Sequence, residues 1–381
     1  MRIALFDYRT TKTNPVGSCN LRMVASLCRE HEITVFAPRF ENPAPDRIKH
    51  VRVLVPLRPL VLLFVSFHLL APLYYWWNRL RTGKRFDAVQ MVESNVLTRR
   101  DIDYVQFCHR RFLKAYWPLV KGKGLRSVLR FWDHKLHAMM EPIVFRGART
   151  IVVPSRGTGR ELAEEYPSIA SKILVIHNPV DLNAFRRPQD FNSSSERARL
   201  GIAMDDVVMV FVALGHFERK GLPLVLQAMA AMKRPELKLI VVGGEPGLIA
   251  SYEEKVRQMG LERQVQFLGV RQDVRQYLWL SDAFVLPSSY EAFPLVALQA
   301  AAAGLPAIVS PLNGVEEFAI DGVNSLIVER SADGVQAGIR RFMEMSPANR
   351  QEMGKRVQQD VSPFSGEHFD ARWHALYAGT I

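Results

Sequence analysis

The sequence predicts an α/β protein with two Rossmann-like domains that face each other across a cleft. The chain has 381 residues, more than a single hydrophobic core usually serves. Short apolar runs alternate with helical stretches along the chain, a pattern typical of parallel, doubly wound sheets. A polar, turn-rich stretch, RRPQDFNSSSERARLG (186–201), divides this alternation into two series and is predicted to be a linker.

The first series predicts an N-terminal domain over residues 1–185. Its seven predicted strands are RIALFDY (2–8), EITVFAP (32–38), HVRVLVP (50–56), DAVQMV (87–92), DYVQFC (103–108), RTIVVPS (149–155) and ILVIHNP (173–179).

The second series predicts a C-terminal domain over residues 202–364. Its predicted strands are VVMVFVALG (207–215), KLIVVGG (238–244), VQFLGV (265–270), AFVLPS (283–288), PAIVS (306–310) and SLIVE (325–329). Its predicted helices are LPLVLQAMAAMK (222–233), YEEKVRQMG (252–260) and DVRQYLWLS (273–281). Ligands of such sheets bind beyond the carboxyl ends of the strands, so we expect the site in the cleft between the domains.

Residues 365–381 predict a C-terminal helix. Phe369, Trp373 and Tyr377 lie four residues apart, so they share one helix face that needs an apolar cover. We expect this helix to pack back on the N-terminal domain.

Composition excludes several classes of protein. Apolar residues make up 48% of the chain and charged residues 23%, which is typical of a globular protein rather than a disordered one. Cys19, Cys28 and Cys108 lie far apart without a CxxC, which favours a reducing compartment and argues against a structural zinc site. The start, MRIALFD, has no apolar core typical of a secretory signal. We therefore expect a cytoplasmic protein.

Charge is concentrated in the first half of the chain. Residues 1–187 hold 31 Lys+Arg and 15 Asp+Glu, a net charge of +16, whereas the rest has a net charge of −4. This favours an anionic partner: a membrane surface, a phosphorylated substrate or nucleic acid, unless the surface is simply basic throughout. The sequence shows no nucleic-acid recognition module, so we expect no nucleic-acid partner. The basic patches RLRTGKR (79–85), CHRRFLK (108–114) and KGKGLR (121–126) fit peripheral contact with an anionic membrane, at the inner face of the cell membrane.

Residues 59–77, PLVLLFVSFHLLAPLYYWW, are almost wholly apolar. Their length approaches the 20 or so residues of a spanning helix, but Pro59, His68 and Pro72 interrupt the run. Three interpretations stay open: a buried or partly exposed helix, a helix that dips into one leaflet with its aromatic end at the interface, and a true span.

A predicted phosphate-binding turn follows the first strand of the second series, in ALGHFERKGLPL (213–224). Gly215 opens the turn, and Arg219 and Lys220 lead into a helix. Arg offers a planar fork of donors and Lys a compact charge, so the pair can hold a diphosphate. A solvated pair at a helix start is the alternative, although cations there oppose the helix dipole at roughly a few tenths of a kcal/mol each.

A second candidate site lies in SSYEAFPLVALQAAAAGLP (288–306). Pro294 fits the first turn of a helix, and the N–H groups around Leu295 and Val296 predict an anion site. Glu291 then lies at the mouth of the cleft, where it can accept from a sugar hydroxyl. Gln299, about two turns along, reaches the same cleft only if its helix face is exposed. An ordinary loop acid and a domain-contact amide are the alternatives.

These residues resemble the E-x7-E element of family 4 retaining glycosyltransferases, which have the GT-B fold. The likeness lies in Glu291 and Gln299, eight positions apart in P-S-x-x-E-x-F-P-L-V-x-L-Q-A. HFERKG, VPSRGTGRELAEEY followed by KILVIHNPVDLNAF, and NGVEEFAIDGVNSLIVE also resemble that family. The resemblance is close over residues 149–330 and weaker before them.

The resemblance implies a role for each matching residue. Arg219 and Lys220 would neutralise the leaving diphosphate, and Glu291 would contact the donor sugar. The N–H groups of Phe293, Leu295 and Val296 would contact sugar and phosphate, and Gln299 would contact the ribose hydroxyls. Gly17 and Ser18 of NPVGSC would contact the phosphates. His109 would contact the donor sugar, and the loop 270–273, with Arg271, would lie along the nucleobase.

The sequence departs from the family pattern at three points. The second acid of the E-x7-E element is Gln299, which would weaken ribose binding by roughly tenfold, because neutral hydrogen bonds contribute less than charged ones. The usual Gly-Arg of the phosphate turn is Gly215-His216, with His216 a further donor candidate. Val16 replaces the first glycine of the amino-terminal turn.

The resemblance implies transfer of a sugar from a nucleotide-diphosphate sugar to an acceptor hydroxyl, with retention, in cell-surface glycan or glycolipid synthesis. The acceptor would be a glycan or a lipid-linked molecule. We expect no metal and no cofactor, because cations and a helix N-terminus supply positive charge and no DxD-like pair is in place. A nucleotide-sugar 2-epimerase and a non-catalytic nucleotide-sugar-binding protein are the alternatives.

Overall fold

The computed structural model describes residues 1–12, 14–93, 100–120, 122 and 124–381. The chain folds into two compact units. The first contains Met1–Pro179 and Gly366–Ile381, and the second contains Val180–Ser365. The basic patch at 121–126 includes Lys121 and Lys123, which lie outside the described residues.

The first unit is built on a seven-stranded parallel sheet. Its strands are β1 (Arg2–Phe6), β2 (Arg9–Thr10), β3 (Glu32–Ala37), β4 (Arg39–Phe40), β5 (Ile48–Arg52), β6 (Ala88–Val92), β7 (Ile102–Tyr104), β8 (Thr150–Val153) and β9 (Ile173–Val175). The main sheet has the order β5-β3-β1-β6-β7-β8-β9, and β2 pairs separately with β4. Each of the seven predicted strands overlaps an observed strand, although β5 ends at Arg52 and β7 ends at Tyr104, before the ends of the predicted runs 50–56 and 103–108. Continuous apolar runs are typical of strands buried on both faces.

Helices connect these strands. They are α1 (Pro15–Leu27), α2 (Leu60–Thr82), α3 (His109–Arg111), α4 (Trp117–Val120), α5 (Leu125–Gly147) and α6 (Arg156–Glu165), with a π-helical turn at Phe112–Tyr116 and a 3-10 helix at Pro167–Lys172.

Helix α2 contains most of the apolar segment 59–77. Its 23 residues are long and apolar enough to cross a membrane, but length and composition alone also fit a core helix. One side of α2 packs into the core through Phe67, Ala71 and Tyr75. The other side is exposed, with Leu69 at 66% and Trp77 at 67% of full exposure. The helix is therefore partly buried and partly exposed within the first unit.

The second unit is built on a six-stranded parallel sheet. Its strands are β10 (Val207–Val212), β11 (Leu237–Val242), β12 (Val265–Gly269), β13 (Ala283–Leu286), β14 (Ala307–Val309) and β15 (Leu326–Ile327), in the order β12-β11-β10-β13-β14-β15. The six predicted strands are confirmed.

The helices of the second unit lie between and after these strands. They are α7 (Leu182–Phe185), α8 (Ser193–Arg199), α9 (Phe217–Lys220), α10 (Leu222–Met232), α11 (Pro246–Gln258), α12 (Arg275–Leu280), α13 (Leu295–Ala302), α14 (Ala332–Glu344) and α15 (Pro347–Asp360), with 3-10 turns at Val315–Glu317 and Ser362–Phe364.

The structure corrects the predicted linker at residues 186–201. This stretch belongs to the second unit, which already begins at Val180. Within α8, the buried guanidinium of Arg197 donates to Leu280 O at 2.8 Å and pairs with Asp282 at 2.9 Å. A polar composition suggested a linker, but these contacts hold the stretch to residues more than 80 positions away.

The last helix, α16 (Gly366–Ala378), lies in the first unit. Phe369, Trp373 and Tyr377 are buried along one face. Arg22 of α1 forms a two-pronged ion pair with Asp370, at 3.1 and 2.8 Å. The chain thus returns to its first unit after completing the second.

Candidate functional site

Two loops of the second unit leave the sheet side by side. Strand β10 pairs in parallel with β13, so the loops that follow them emerge at the same edge. The loop after β10 carries Gly215, His216, Arg219 and Lys220. The loop after β13 carries Glu291 and leads into α13. This is the edge at which ligands of open parallel sheets bind.

The first loop is held in place by Phe217. Its ring is buried against Phe211 and Tyr252, with ring centroids 5.9 and 5.2 Å away. His216 precedes it in the left-handed conformation, with φ of 57°. Gly215 is open on the side where a Cβ would lie. One buried aromatic thus anchors a short helix that carries both cations.

The two loops are locked together at Gly221. Its φ is +84°, and a Cβ there would lie 2.1 Å from the Pro287 carbonyl oxygen, so only glycine fits. Beside it, the Ser289 N–H donates to Arg219 O at 2.8 Å, and the Ser288 hydroxyl oxygen lies 3.2 Å from the same carbonyl oxygen. Backbone contacts therefore fix the cationic turn against the loop that carries Glu291.

Glu291 accepts hydrogen bonds from both cations. Its Oε1 lies 2.5 Å from Lys220 Nζ, 3.4 Å from Arg219 Nη1 and 2.9 Å from the Ser288 hydroxyl. Arg219 Nη1 also donates to the Tyr290 carbonyl at 2.5 Å. The three charged side chains are largely buried, with Glu291 only 10% exposed. The sequence-predicted residues Arg219, Lys220 and Glu291 are thus brought together.

Burial and charge shift the pKa values of this cluster in opposite ways. Burial alone would raise the pKa of Glu291, but Lys220 and Arg219 outweigh it and hold the pKa below its usual value. Burial lowers the pKa of Lys220, and neighbouring Arg219 adds to this, while Glu291 opposes both. A further anion beside Lys220 would stabilise its charged form.

Helix α13 presents one accessible stripe at this edge. Leu295, Val296 and Gln299 are half-buried, whereas Ala297, Leu298 and Ala300–Ala302 are buried. Residues four apart lie on one helix face, so Gln299 sits directly below Leu295. By their position in the first turn, the N–H groups of Leu295 and Val296 have no carbonyl partner within the helix. Pro294 is the cap of the helix rather than its first residue.

Phe293 and Arg271 lie in different surroundings. The Phe293 side chain is buried in the core of the unit, close to Gly314, where a Cβ would lie 2.7 Å from its ring. Arg271 is exposed in the loop after β12. Their predicted contacts with sugar and nucleobase stay predictions.

The structure corrects the surroundings of Gly17 and Ser18. Both were predicted in a strand–helix turn, but they lie in the first turn of α1. A Cβ on Gly17 would lie 2.7 Å from Arg9 O and 2.8 Å from the Thr11 backbone, so packing alone requires glycine there. The Ser18 N–H donates to Asn14 O at 2.8 Å. Their predicted phosphate contacts stay predictions.

His109 lies at the carboxyl end of the first unit's sheet, in a cluster of buried rings. It stacks on His137 with ring centroids 4.3 Å apart, and its Nδ1 lies 3.0 Å from His134 Nδ1. Its Nε2 is buried and has no hydrogen-bond partner among the described residues. Burial, followed by His137 and His134, lowers the pKa of His109 well below 6.5, so the ring is neutral at pH 7.

The sequence did not predict several residues of these surroundings. One is Ser288, whose hydroxyl donates to Glu291 Oε1. In the first unit, Glu141 accepts from the N–H groups of His109 and Arg110, at 2.6 and 3.1 Å, and from the Tyr166 hydroxyl at 2.6 Å. Burial raises the pKa of Glu141 to about 7. The 133–141 spacing DHKLHAMME, which aligns Asp133, His137 and Glu141 on a helix, was the available signal.

Glu30, His31 and His374 form a group with metal-ligand spacing within the described residues. Their candidate ligand atoms lie within 4.8 Å of one another, in the first unit. Exposed groups of this kind are common without an ion, and nothing else points to a metal there.

Family comparisons identify both halves of the chain. Residues 16–184 match the model of Glycosyltransferase Family 4, and residues 192–360 match that of Glycosyl transferases group 1. Each half of the chain is thus similar to one glycosyltransferase family model. A similar curated protein is the D-inositol 3-phosphate glycosyltransferase of Corynebacterium aurimucosum, 27% identical over 61% of this chain and 58% of that protein. The chain spans about half the length of the curated relatives it matches.

Solved structures show the fold. WaaG, a glycosyltransferase involved in lipopolysaccharide biosynthesis, is 18% identical with a TM-score of 0.75, covering 99% of this chain and 100% of WaaG. Anabaena Alr3699/HepE, solved in complex with UDP-glucose, is 18% identical with a TM-score of 0.73 over the full length of both chains. The predicted α/β architecture with two Rossmann-like domains is confirmed, and it is the GT-B fold of glycosyltransferases.

Proposed function

We propose that this chain is a retaining glycosyltransferase that moves a sugar from a nucleotide-diphosphate sugar to an acceptor hydroxyl, in cell-surface glycan or glycolipid synthesis. The observation that carries the proposal is the contact of Lys220 and Arg219 with Glu291 beside the start of α13. The match to glycosyltransferase family models and the likeness to a protein solved with UDP-glucose support it.

In the proposed reaction, the bond between the anomeric carbon and the β-phosphate oxygen breaks, and its electron pair leaves with the nucleoside diphosphate. Arg219, Lys220 and the N–H groups of Leu295 and Val296 stabilise the charge that builds on the phosphate. Groups positioned in advance where charge develops are usually the largest single contribution to such rates. Gly215 and His216 line the same turn.

Sugar recognition is assigned to Glu291. Both cations contact Oε1 of Glu291, so Oε2 can accept a hydrogen bond from a sugar hydroxyl. Gln299 would bind the ribose, because it shares an accessible face with Leu295. The acceptor oxygen then bonds to the anomeric carbon on the face the phosphate leaves, and its proton passes to a phosphate oxygen. Configuration is thereby retained.

The test is a panel of UDP-, GDP- and ADP-sugars, with nucleotide release measured with and without cell extract as acceptor. We expect one donor class to release nucleotide in an acceptor-dependent way, with an α-linked product from an α-linked donor by NMR. Epimerised sugar without acceptor would indicate the 2-epimerase instead. Calorimetric binding without turnover would indicate a binding protein.

We also propose that transfer needs no metal, because side-chain cations and a helix N-terminus can take its place. Turnover should be unchanged after dialysis against EDTA. Loss of turnover that Mg²⁺ or Mn²⁺ restores would contradict this.

A cytoplasmic location with peripheral contact to an anionic membrane is a further part of the proposal. Exposed apolar residues of α2 and α5, among them Trp77 and Trp132, and the arginines Arg79 and Arg81 support it. Amphipathic surfaces of this composition bind the interface of anionic bilayers. Liposomes rich in anionic lipid should sediment the protein at low salt, and failure to do so would contradict the proposal.

A further inference from the structure

A cavity in the first unit lies next to the end of β1. Its volume is about 730 Å³, within the range of small-molecule sites. Tyr8 and Arg9, which follow β1, form one wall. The start of α2 and the segment before it form another, and α5 contributes Leu129, Arg130 and Asp133. The cavity thus opens at the ligand-binding edge of this sheet.

The lining combines two chemistries. Its apolar part consists of Leu57, Pro59, Leu60, Val61, Leu63 and Leu129. Its charged part holds three guanidinium groups, from Arg9, Arg58 and Arg130, against one carboxyl group, from Asp133. Arg9 and Arg58 are exposed side chains without an ion pair to a described residue. The cavity therefore offers both an apolar surface and a net positive charge.

The apolar lining continues onto the surface of the unit. Helices α2 and α5 pack against each other. Leu60 and Leu129 are 54% and 38% exposed at the rim of the cavity. Further exposed apolar residues follow on both helices: Leu62, Val65 and Leu69 on α2, and Leu125, Val128 and Trp132 on α5. A ligand that contacts both the cavity and this surface would need an apolar chain that extends beyond the cavity.

One lining residue of the cavity, Tyr8, contacts a cluster of histidine rings. The ring of Tyr8 lies edge-on to His137, with centroids 6.5 Å apart, and His137 stacks on His109. A polar group bound against Tyr8 would therefore be separated from the histidine cluster by one ring. The family resemblance assigns His109 a contact with the donor sugar, which links this cluster to the proposed transfer.

We propose that this cavity binds an amphiphile with an alkyl or isoprenyl chain and a phosphate headgroup, and that such a lipid-linked phosphate carries the acceptor. The guanidinium groups bind the phosphate, since arginine matches its geometry with paired hydrogen bonds. The chain runs over the apolar faces of α2 and α5. The part concerning the acceptor rests on the proposed glycosyltransferase function, whereas binding of the amphiphile does not.

The test uses dodecyl phosphate as probe, below its micelle concentration, with the full chain in a calorimeter. We expect binding at least tenfold tighter than that of dodecyl maltoside, which has the same chain and a neutral head, and of inorganic phosphate, which has no chain. Shortening the chain by two methylenes should weaken binding roughly tenfold. Equal binding of all three probes, or none, would overturn the proposal.

Variants locate the site. Arg58→Gln with Arg130→Gln should weaken dodecyl phosphate binding at least tenfold, and Leu129→Glu should do the same by placing a like charge at the rim. Arg47→Gln, an exposed arginine outside the lining, is the matched control and should bind as the wild type does. Equal affinities in all four proteins would overturn the proposal.

A photoactivatable alkyl phosphate gives an independent readout. Cross-links should fall in residues 57–65 and 125–133, and cross-links confined to other segments would contradict the site. Nucleotide release from the donor panel is measured in parallel. Donor turnover without dodecyl phosphate binding would refute the cavity alone, and binding without any donor turnover would refute the proposed function alone.

Discussion

Lys220 Nζ lies 2.5 Å from Glu291 Oε1, although the two residues are 71 positions apart in the chain. Parallel pairing of β10 with β13 and the glycine contact at Gly221 produce this proximity. The ion pair is nearly buried, so its charges act in a medium of low effective dielectric. A diphosphate placed beside it would meet one carboxylate and two cations that are already positioned.

Substitution of Lys220 by alanine should lower turnover by well over tenfold. The ammonium that neutralises the leaving phosphate is lost, and an electrostatic donor of this kind contributes about 3 kcal/mol. Lys255→Ala is the matched control, because Lys255 forms an exposed ion pair with Glu218 in the same unit. Steady-state nucleotide release measures both variants, with circular dichroism to verify folding. Unchanged turnover in a folded Lys220→Ala protein would remove the role assigned to Lys220.

Substitution of Gly221 by alanine should lower both stability and turnover. The φ of +84° strains any L side chain, and the new Cβ would collide with Pro287 O. We expect a loss of about 2–4 kcal/mol in the free energy of unfolding, from strain and forced displacement together. Gly201→Ala is the control: its φ is also positive, at +67°, but no atom lies within 4 Å of the added Cβ.

The control should lose about 1 kcal/mol, the usual penalty of the left-handed conformation. Urea unfolding of both variants measures the difference. If Gly201→Ala and Gly221→Ala lose the same stability, the close contact between the two loops is not what fixes the cationic turn.

Substitution of Gln299 by glutamate should raise the affinity for the nucleoside diphosphate about tenfold. Hydrogen bonds to charged groups contribute about 1 kcal/mol more than neutral ones, and a carboxylate would accept from both ribose hydroxyls. Gln227→Glu, on the exposed side of α10, adds the same charge elsewhere in the unit. Calorimetric titration measures the dissociation constants. Equal affinities for wild type, Gln299→Glu and Gln299→Ala would exclude a ribose contact.

Acid should destabilise the first unit through His137. Burial lowers the pKa of His137 from 6.5 to about 4. Between these two pH values the unfolded chain binds a proton that the folded chain does not. The stability that depends on a neutral His137 is therefore fully present above about pH 6.5 and is lost as the pH falls. A shift of this size corresponds to at most about 3 kcal/mol. Glu141 acts in the opposite direction, because its raised pKa makes the folded chain bind the proton first.

His137→Phe keeps a ring against His109 but cannot titrate, whereas Glu141 titrates in both proteins. Urea unfolding at pH 7, 6 and 5 should therefore show the wild type losing stability relative to the variant as the pH falls. If the free energy of unfolding changes equally with pH in the two proteins, burial of His137 does not cause the acid sensitivity.

The local pattern of apolar residues was enough to predict the strands of both sheets, but it did not predict every segment between the strands. Runs such as AFVLPS predict buried strands because both faces of a parallel strand are apolar. The stretch around Arg197 looks like a linker because its composition is polar. Its fold depends on Asp282, 85 residues away, and no local pattern encodes such a partner.

The candidate site was predictable in part for the same reason. Residues after neighbouring parallel strands must meet at one edge, which placed Arg219 and Lys220 beside Glu291. That Glu291 itself pairs with both cations depends on side-chain geometry that the sequence does not show. The sequence also did not show why residue 17 must be glycine, because the backbone atoms that a Cβ would meet belong to Arg9 and Thr11.

The most direct measurement is a crystal structure with the nucleoside diphosphate released in the donor panel. We expect phosphate oxygens within hydrogen-bond distance of Lys220 Nζ, the Arg219 guanidinium and the N–H groups of Leu295 and Val296. A diphosphate bound elsewhere, with the Lys220–Glu291 pair untouched, would contradict this expectation.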